Sequence, residues 1–233
     1  MTVYGVGLGP GAQDLMTVRA DRLVRSARRV AFFRKKGRPG QARTIVEGML
    51  HPEAEELPME YPVTTEIPLS DPRYNSMLRA FYEEWADRLA KGPDTVVLCE
   101  GDPFFYGSFM HLHTRLQGRV PVEVVPAVTG MSGGWTATGA PVTWGDDVLT
   151  VLMGTLPEAE IARRAEGTDA LVVMKIGRNL SKVKRALAAA GRLDATWMIE
   201  RATMAGERVS MLRDAEAAPY FSLAVVHGQG RRP

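Results

Sequence analysis

Three short segments carry residue types whose spacing suits ligand chemistry. The first is YGVGLGPGAQDL, from Tyr4 to Leu15. Its glycines let a backbone approach a ligand closely, and N–H groups at a following helix start favour an anion. Read loosely, Gly7, Gly9 and Ala12 match a G-x-G-x-x-A dinucleotide fingerprint, a pattern of low specificity alone. Pro10 removes a donor where a phosphate needs one, and the next predicted strand ends in Ala31-Phe32-Phe33 with no acid for a ribose. Arg34 could meet a 2′-phosphate instead, which keeps an NADP-dependent oxidoreductase as the rival reading. The second segment, VVLCEGDPFFYG, runs from Val96 to Gly107 and puts an Asp-Pro turn after an apolar strand. The third, VVPAVTGMSGG from Val124 to Gly134, again sends a β-branched strand into small residues that open a helix. Each loop alone has an ordinary structural explanation as a turn or cap. Three strand tips ending in small residues together predict one ligand site at the carboxyl edge of a parallel sheet.

A charge segregation stands beside these loops. From Arg19 to Arg43 there are ten basic residues and one acid, Asp21; from Glu47 to Asp71 there are seven acids and no Lys or Arg. The plain interpretation is a solvated basic helix face next to an acidic loop. The functional one is a basic patch, centred on Arg34, Lys35 and Lys36, facing an anionic ligand.

The elements that must position these residues follow from periodicity. Short β-branched or aromatic runs predict strands at 2–7, 28–33, 94–99 and 121–125. Met16, Ala20, Leu23, Val24 and Ala27 recur at helical spacing with Asp14 or Thr17 as cap, and residues 75–90 repeat the pattern. Strand, helix and strand at these intervals imply right-handed parallel crossovers. In the second half, runs at 148–153, 170–176, 195–200, 208–212 and 222–227 surround one firm helix at 178–190, and the closing strands follow at short gaps. The expected fold class is therefore α/β. Two α/β domains, 1–140 and 141–233, should carry a parallel open sheet in the first and a mixed sheet in the second.

Composition narrows the function classes. The 233 residues are 45% hydrophobic and 24% charged, the profile of a globular enzyme. A single cysteine, Cys99, excludes an internal disulfide, and four histidines at no ligand spacing argue against a structural metal. A net charge of +2 does not announce a nucleic-acid partner. Residues 124–145 are uncharged but hold five Gly and two Pro, wrong for a lipid-facing helix. The start lacks the basic end and apolar core of a signal peptide, so the expectation is a cytoplasmic protein without a membrane partner.

Taken in order, GxGPG near the start, EGDPxxYG after a middle strand and VVPAVTGxS after the next resemble the tetrapyrrole methylases, enzymes that use S-adenosylmethionine (SAM) to methylate uroporphyrinogen and corrin precursors. The resemblance continues through FFRKKGRPGQAR, YPVTTEIP, WGDDVLTVLMGTLPE, VVMKIGRNL and ERATMAGERV, over nearly the whole chain. YPVTTEIP, GDDVLTVLxGTLPE and MKIGRN are similar to the branch that methylates precorrin-2 at C-20 in cobalamin biosynthesis; a cobalt-containing version of that substrate is the alternative within the family.

The resemblance implies a SAM site in the cleft between the two domains. Gly101, Asp102 and Pro103 should line its methionine and ribose side, with Thr129 and Gly130 beside them. Met174 or Lys175, Ala202 and Leu223 should offer main-chain groups to the adenine, and Pro10 should lie in a loop facing tetrapyrrole and cofactor. Many relatives have Ser or Ala where this chain has Gly130, so a backbone contact is expected there. Arg34, Lys35 and Lys36 would meet the substrate's acetate and propionate rim. Asp102 and Tyr106 are the candidates for the base that removes the meso proton. Family members are typically homodimers.

Overall fold

A computed structural model describes residues 1–64, 67 and 71–230. Thr65, Glu66 and Pro68 of the YPVTTEIP motif lie outside the described residues. The chain divides into two units, Met1–Thr129 and Gly130–Pro233, a division ahead of the Gly139–Pro141 stretch.

In the first unit β1 (Val3–Gly7), α1 (Val18–Ser26), β2 (Arg29–Lys35), α2 (Gln41–Ile45), β3 (Glu55–Tyr61), α3 (Pro72–Ala90), β4 (Thr95–Cys99), α4 (Phe109–Leu116) and β5 (Val122–Val125) alternate along the chain. The strands form one parallel sheet in the order β3-β2-β4-β1-β5. Helices cover both faces, which is why VAFF and TVVLC read as continuous apolar runs. Val30, Phe32, Val96 and Leu98 pack with Ala20 and Val24 of α1 and Ala42 and Ile45 of α2. Ala31, Val97 and Cys99 face Phe81, Trp85 and Leu89 of α3 and Phe109 and Leu112 of α4. A Cβ at Gly5 would stand 2.2 Å from the Phe109 ring, so the central strand must be bare there for α4 to dock.

The segment expected as an acidic loop contains a strand. Glu55–Tyr61 alternates, with Leu57 and Met59 buried, and it lies at the sheet edge, where Pro58 costs no interior ladder bond. Its register explains the charge segregation. Arg29 pairs in the ladder with Glu55 and Arg34 with Glu60. Arg29 Nε lies 3.0 Å from Glu55 Oε2, Arg34 Nη2 2.7 Å from Glu60 Oε1, and Arg43 of α2 2.7 Å from Glu56 Oε2. Two blocks of opposite charge are thus brought side by side by parallel strand pairing.

In the second unit α5 (Gly130–Ala137), β6 (Leu149–Met153), α6 (Glu158–Glu166), β7 (Ala170–Met174), α7 (Leu180–Ala189), β8 (Thr196–Glu200), β9 (Arg208–Met211) and β10 (Ser222–Val226) build a mixed sheet in the order β6-β7-β10-β8-β9. Only β6 and β7 are parallel; β10 runs antiparallel to both neighbours and β9 to β8. Helix α6 had no counterpart in the sequence expectation, because Glu-Ala-Glu-Ile-Ala-Arg-Arg-Ala-Glu buries only Ile161 and Ala165. Among the described residues no helix is long and apolar enough to cross a membrane.

Candidate active site

The first unit gathers its three glycine-containing loops at one sheet edge. β4, β1 and β5 are neighbours and parallel, so their carboxyl ends lie together. The chain beyond β1 stays attached to the chain beyond β4: Leu8 N donates to Cys99 O at 2.9 Å and Gly101 N to Gly9 O at 2.9 Å. Gly9 and Gly101 both sit at positive φ, 79° and 64°, where a Cβ is penalised. Gly7 is the point of convergence. A Cβ there would come within 2.6 Å of Ala127 Cβ in the chain after β5, and within 2.8 Å of Gly101 O and 2.9 Å of Pro103 Cδ in the turn after β4.

Asp102 joins two of these loops. Its Oδ1 accepts the Phe104 N–H at 2.9 Å and its Oδ2 the Ala127 N–H at 2.9 Å. The carboxylate therefore holds the turn after β4 against the chain after β5, with both oxygens engaged. Pro103 and Pro10 are buried, Gly101, Thr129 and Gly130 half-buried, and Gly130 opens α5. Tyr106 is exposed on a backbone at φ 54°, its ring edge-on to Phe105, and the neighbouring Phe104 is exposed as well. A non-glycine residue held in the left-handed region costs of order 1–3 kcal/mol, and such strain concentrates at ligand sites.

The glycine loop does not run straight into a helix. A 3-10 turn, Gln13–Leu15, intervenes, and α1 starts only after Thr17, whose side chain accepts from Ala20 N. No helix N-terminus points from Gly9–Gly11 as a dinucleotide cradle requires. Arg34, the one cation assigned to a 2′-phosphate, is turned onto Glu60 through both Nε and Nη2. Lys35, the last residue of β2, and Lys36, just past it, are exposed.

The second unit presents a comparable edge. β6, β7 and β8 end there and β10 begins there. Lys175 directly after β7, and Arg201 and Thr203 after β8, are all non-glycine residues at positive φ, 55°, 49° and 64°. Gly154 N donates to Met174 O at 2.7 Å, and a Cβ at Gly154 would press to 2.9 Å on Lys175 O. The β7–β10 ladder runs from Val226↔Leu171 to Ala224↔Val173 and stops short of Met174 and Leu223. Ala202 and Leu223 are buried, with Leu223 packed on Gly134 of α5, so main-chain groups are what they can offer a ligand. Ser222, which sequence reasoning missed, has a buried Oγ without a partner among the described residues.

A cavity of about 540 Å³ in the second unit is lined by Trp144, Trp197, Met211 and His227 among others. It lies at the opposite end of the sheet, where β8 begins and β10 ends. The WGDD segment serves that end: Asp147 Oδ2 accepts from Trp144 N at 2.9 Å, and carboxyl-terminal Gly228 and Gly230 leave the space its side chain fills.

Parallel sheet, mixed sheet and glycine-lined strand tips agree with the comparisons. The chain matches the model of the Tetrapyrrole (Corrin/Porphyrin) Methylases over residues 2–216 and belongs to that family. A "Precorrin-2 C(20)-methyltransferase" from Sinorhizobium sp is 51% identical over 237 residues, covering 99% of this chain and 97% of that protein. A "Cobalt-precorrin-2 C(20)-methyltransferase" from Salmonella typhimurium is 29% identical, covering 97% and 96%. The solved uroporphyrin-III C-methyl transferase from Thermus thermophilus, complexed with S-adenyl homocysteine, shares the fold with a TM-score of 0.71 at 24% identity, covering 97% and 92%.

Proposed function

We propose that this chain transfers a methyl group from SAM to C-20 of precorrin-2, giving precorrin-3A in cobalamin biosynthesis. The observation that carries the reading is the 51% identity over nearly the full length of both chains, against 29% for the relative named for the cobalt-containing substrate. The contrast favours the metal-free ring.

The residues present suit such a cofactor. Gly7 lets the loops after β1, β4 and β5 close on one another, Gly9 and Gly101 supply the left-handed turns of that edge, and the Asp102 carboxylate supplies negative charge for a cation. Gly101, Asp102, Pro103, Thr129 and Gly130 would hold the methionine and ribose side. Met174, Lys175, Ala202 and Leu223 would meet the adenine through main-chain groups at the unzipped end of β7 and β10. When bound, SAM supplies an electrophilic methyl on a sulfonium. The ring's meso carbon, enamine-like beside reduced pyrroles, is already a nucleophile. What remains for the protein is alignment, and holding two reactants in line supplies up to roughly 7–11 kcal/mol. Asp102 favours the sulfonium before reaction more than in the transition state, so it aids binding more than rate. Lys35 and Lys36 would meet the substrate's carboxylates, while Arg34, engaged with Glu60, shapes the strand tip beneath them. The family resemblance adds a cytoplasmic homodimer to this reading.

Calorimetric titration tests it against the oxidoreductase alternative. SAM and S-adenosylhomocysteine should bind in the micromolar range and NADPH not at all; NADPH binding without SAM binding would overturn the proposal.

A further inference from the structure

We infer that Glu100 is the base that takes the C-20 proton once the methyl group has been added. The inference rests on the methylation reading above and adds a residue to it.

Its placement comes first. Val97 and Cys99 of β4 face the α3 and α4 side of the sheet, Val96 and Leu98 the α1 and α2 side. Glu100 continues the second series one step past the strand end. It therefore stands at the ligand edge, between the two backbone bonds that tie Cys99 and Gly101 to Leu8 and Gly9. Its carboxylate accepts the Ala42 N–H in the first turn of α2, whose N-cap Gly40 has no side chain to do so. One carboxylate oxygen is thereby fixed, and the described residues give the other no hydrogen bond. Asp102, the nearest rival, has each oxygen on a main-chain N–H. Asp14 is exposed on the 3-10 turn after β1, and the segment from Pro126 to Thr129 holds no acid.

The electrostatic setting suits a base working near neutrality. Glu100 is exposed at the strand tip, and the protein crowded around it pushes its carboxyl up to about 7, the Ala42 N–H partly opposing. Cations on neighbouring elements do not reverse this. Arg43 of α2 is held by Glu56 and Arg34 of β2 by Glu60. Lys35 at the end of β2 and Lys36 and Arg38 on the turn that follows stand exposed, and Cys99 beneath is a buried thiol. A base is most effective when its pKa lies near the working pH.

The step balances. The C-20–methyl bond forms as the sulfur–methyl bond breaks, and the bonding pair stays on sulfur. The C-20–H bond then breaks; its electron pair returns to the ring conjugation and the proton goes to the free Glu100 oxygen, from which water removes it.

The test is Glu100→Gln, whose amide oxygen can still accept from Ala42 N–H and keep α2 in place. Wild type and variant are assayed with precorrin-2 and SAM across pH, S-adenosylhomocysteine binding is measured by calorimetry, and the Glu100 carboxyl of the ligand-free protein is titrated by carbon-13 NMR. The inference expects a kcat loss of about 10²–10⁴ with KM and S-adenosylhomocysteine affinity within about twofold. It also expects an acidic limb near pH 7 in the wild type that the variant lacks, and a carboxyl titrating near the same pH. A variant within about threefold of wild-type kcat, an unchanged acidic limb, or parallel loss of kcat and ligand binding would overturn it. A wild type inactive on precorrin-2 would instead sink the methylation reading, leaving the NMR titration to judge Glu100 as a high-pKa carboxyl.

Discussion

Asp102 Oδ2 accepts the Ala127 backbone N–H at 2.9 Å, so one carboxylate fastens the turn after β4 to the chain after β5. Two of the three loops read as ligand-binding from sequence are thus one mechanical unit. Asp102→Ala would leave the half-buried Ala127 N–H without its acceptor, costing about 1–3 kcal/mol. Asp102→Asn keeps an acceptor oxygen and should cost less. Thermal unfolding should rank the proteins wild type, Asn, Ala. S-adenosylhomocysteine affinity should fall in the same order and by more than stability does; an unchanged dissociation constant in a folded Ala variant would remove Asp102 from the cofactor site.

Gly7→Ala places a methyl against two neighbouring loops at once, closer than 3 Å to three of their atoms. None of the three is the far end of a flexible side chain, so backbone must move. A loss of about 1–3 kcal/mol is expected in denaturant unfolding, with weakened cofactor binding. Gly167→Ala, where a Cβ meets nothing within 4 Å, is the control and should stay near wild type.

The charge cluster separates into two groups with different expected behaviour. Arg34 is bonded to Glu60, and Arg34→Ala should change stability by less than about 1 kcal/mol, as partly exposed pairs do. Lys35→Ala with Lys36→Ala should raise the KM for precorrin-2 and flatten its salt dependence while leaving SAM affinity alone. Steady-state kinetics at low and high salt decide this. Kinetics identical to wild type at both would make the lysines plain surface.

Stability should depend on pH through Glu100. Its folded carboxyl holds a proton up to about pH 7, the unfolded one only to about 4.5. Between those values folding takes up a proton, so this residue's contribution falls as pH rises through the window and levels off above it. Raising the pH from about 5 to about 8 should therefore lower the wild-type melting temperature more than that of Glu100→Gln. Equal shifts in both proteins would show that Glu100 is not the group responsible.

The legible parts of this fold are those where one pattern decides. The doubly buried strands Val30–Phe33 and Val96–Cys99, and the β-branched run into Pro126, declared themselves by apolar continuity. β3 did not, because Glu55, Glu56, Glu60 and Pro58 mask an alternation of only two buried side chains, Leu57 and Met59. The same blindness left Arg34 to be read as a contact for an anionic ligand, since its partner Glu60 is 26 residues away and the contact exists only through strand register. Among candidate site residues, Asp102 and Gly101 were singled out by an Asp-Pro turn after an apolar strand together with the family resemblance. The convergence on Gly7 and the Ala42 bond to Glu100 depend on spacing between elements that no local pattern encodes. Alternation along β4 would have placed Glu100 on the α2 side, had the acid been read as part of the strand rather than of the turn.

The central claim is tested most directly by incubating the protein with precorrin-2 and SAM, then assigning the product by mass spectrometry and carbon-13 NMR with methyl-labelled SAM. The account predicts one added methyl group, located at C-20. A methyl at any other ring carbon, or none with cofactor demonstrably bound, would contradict it.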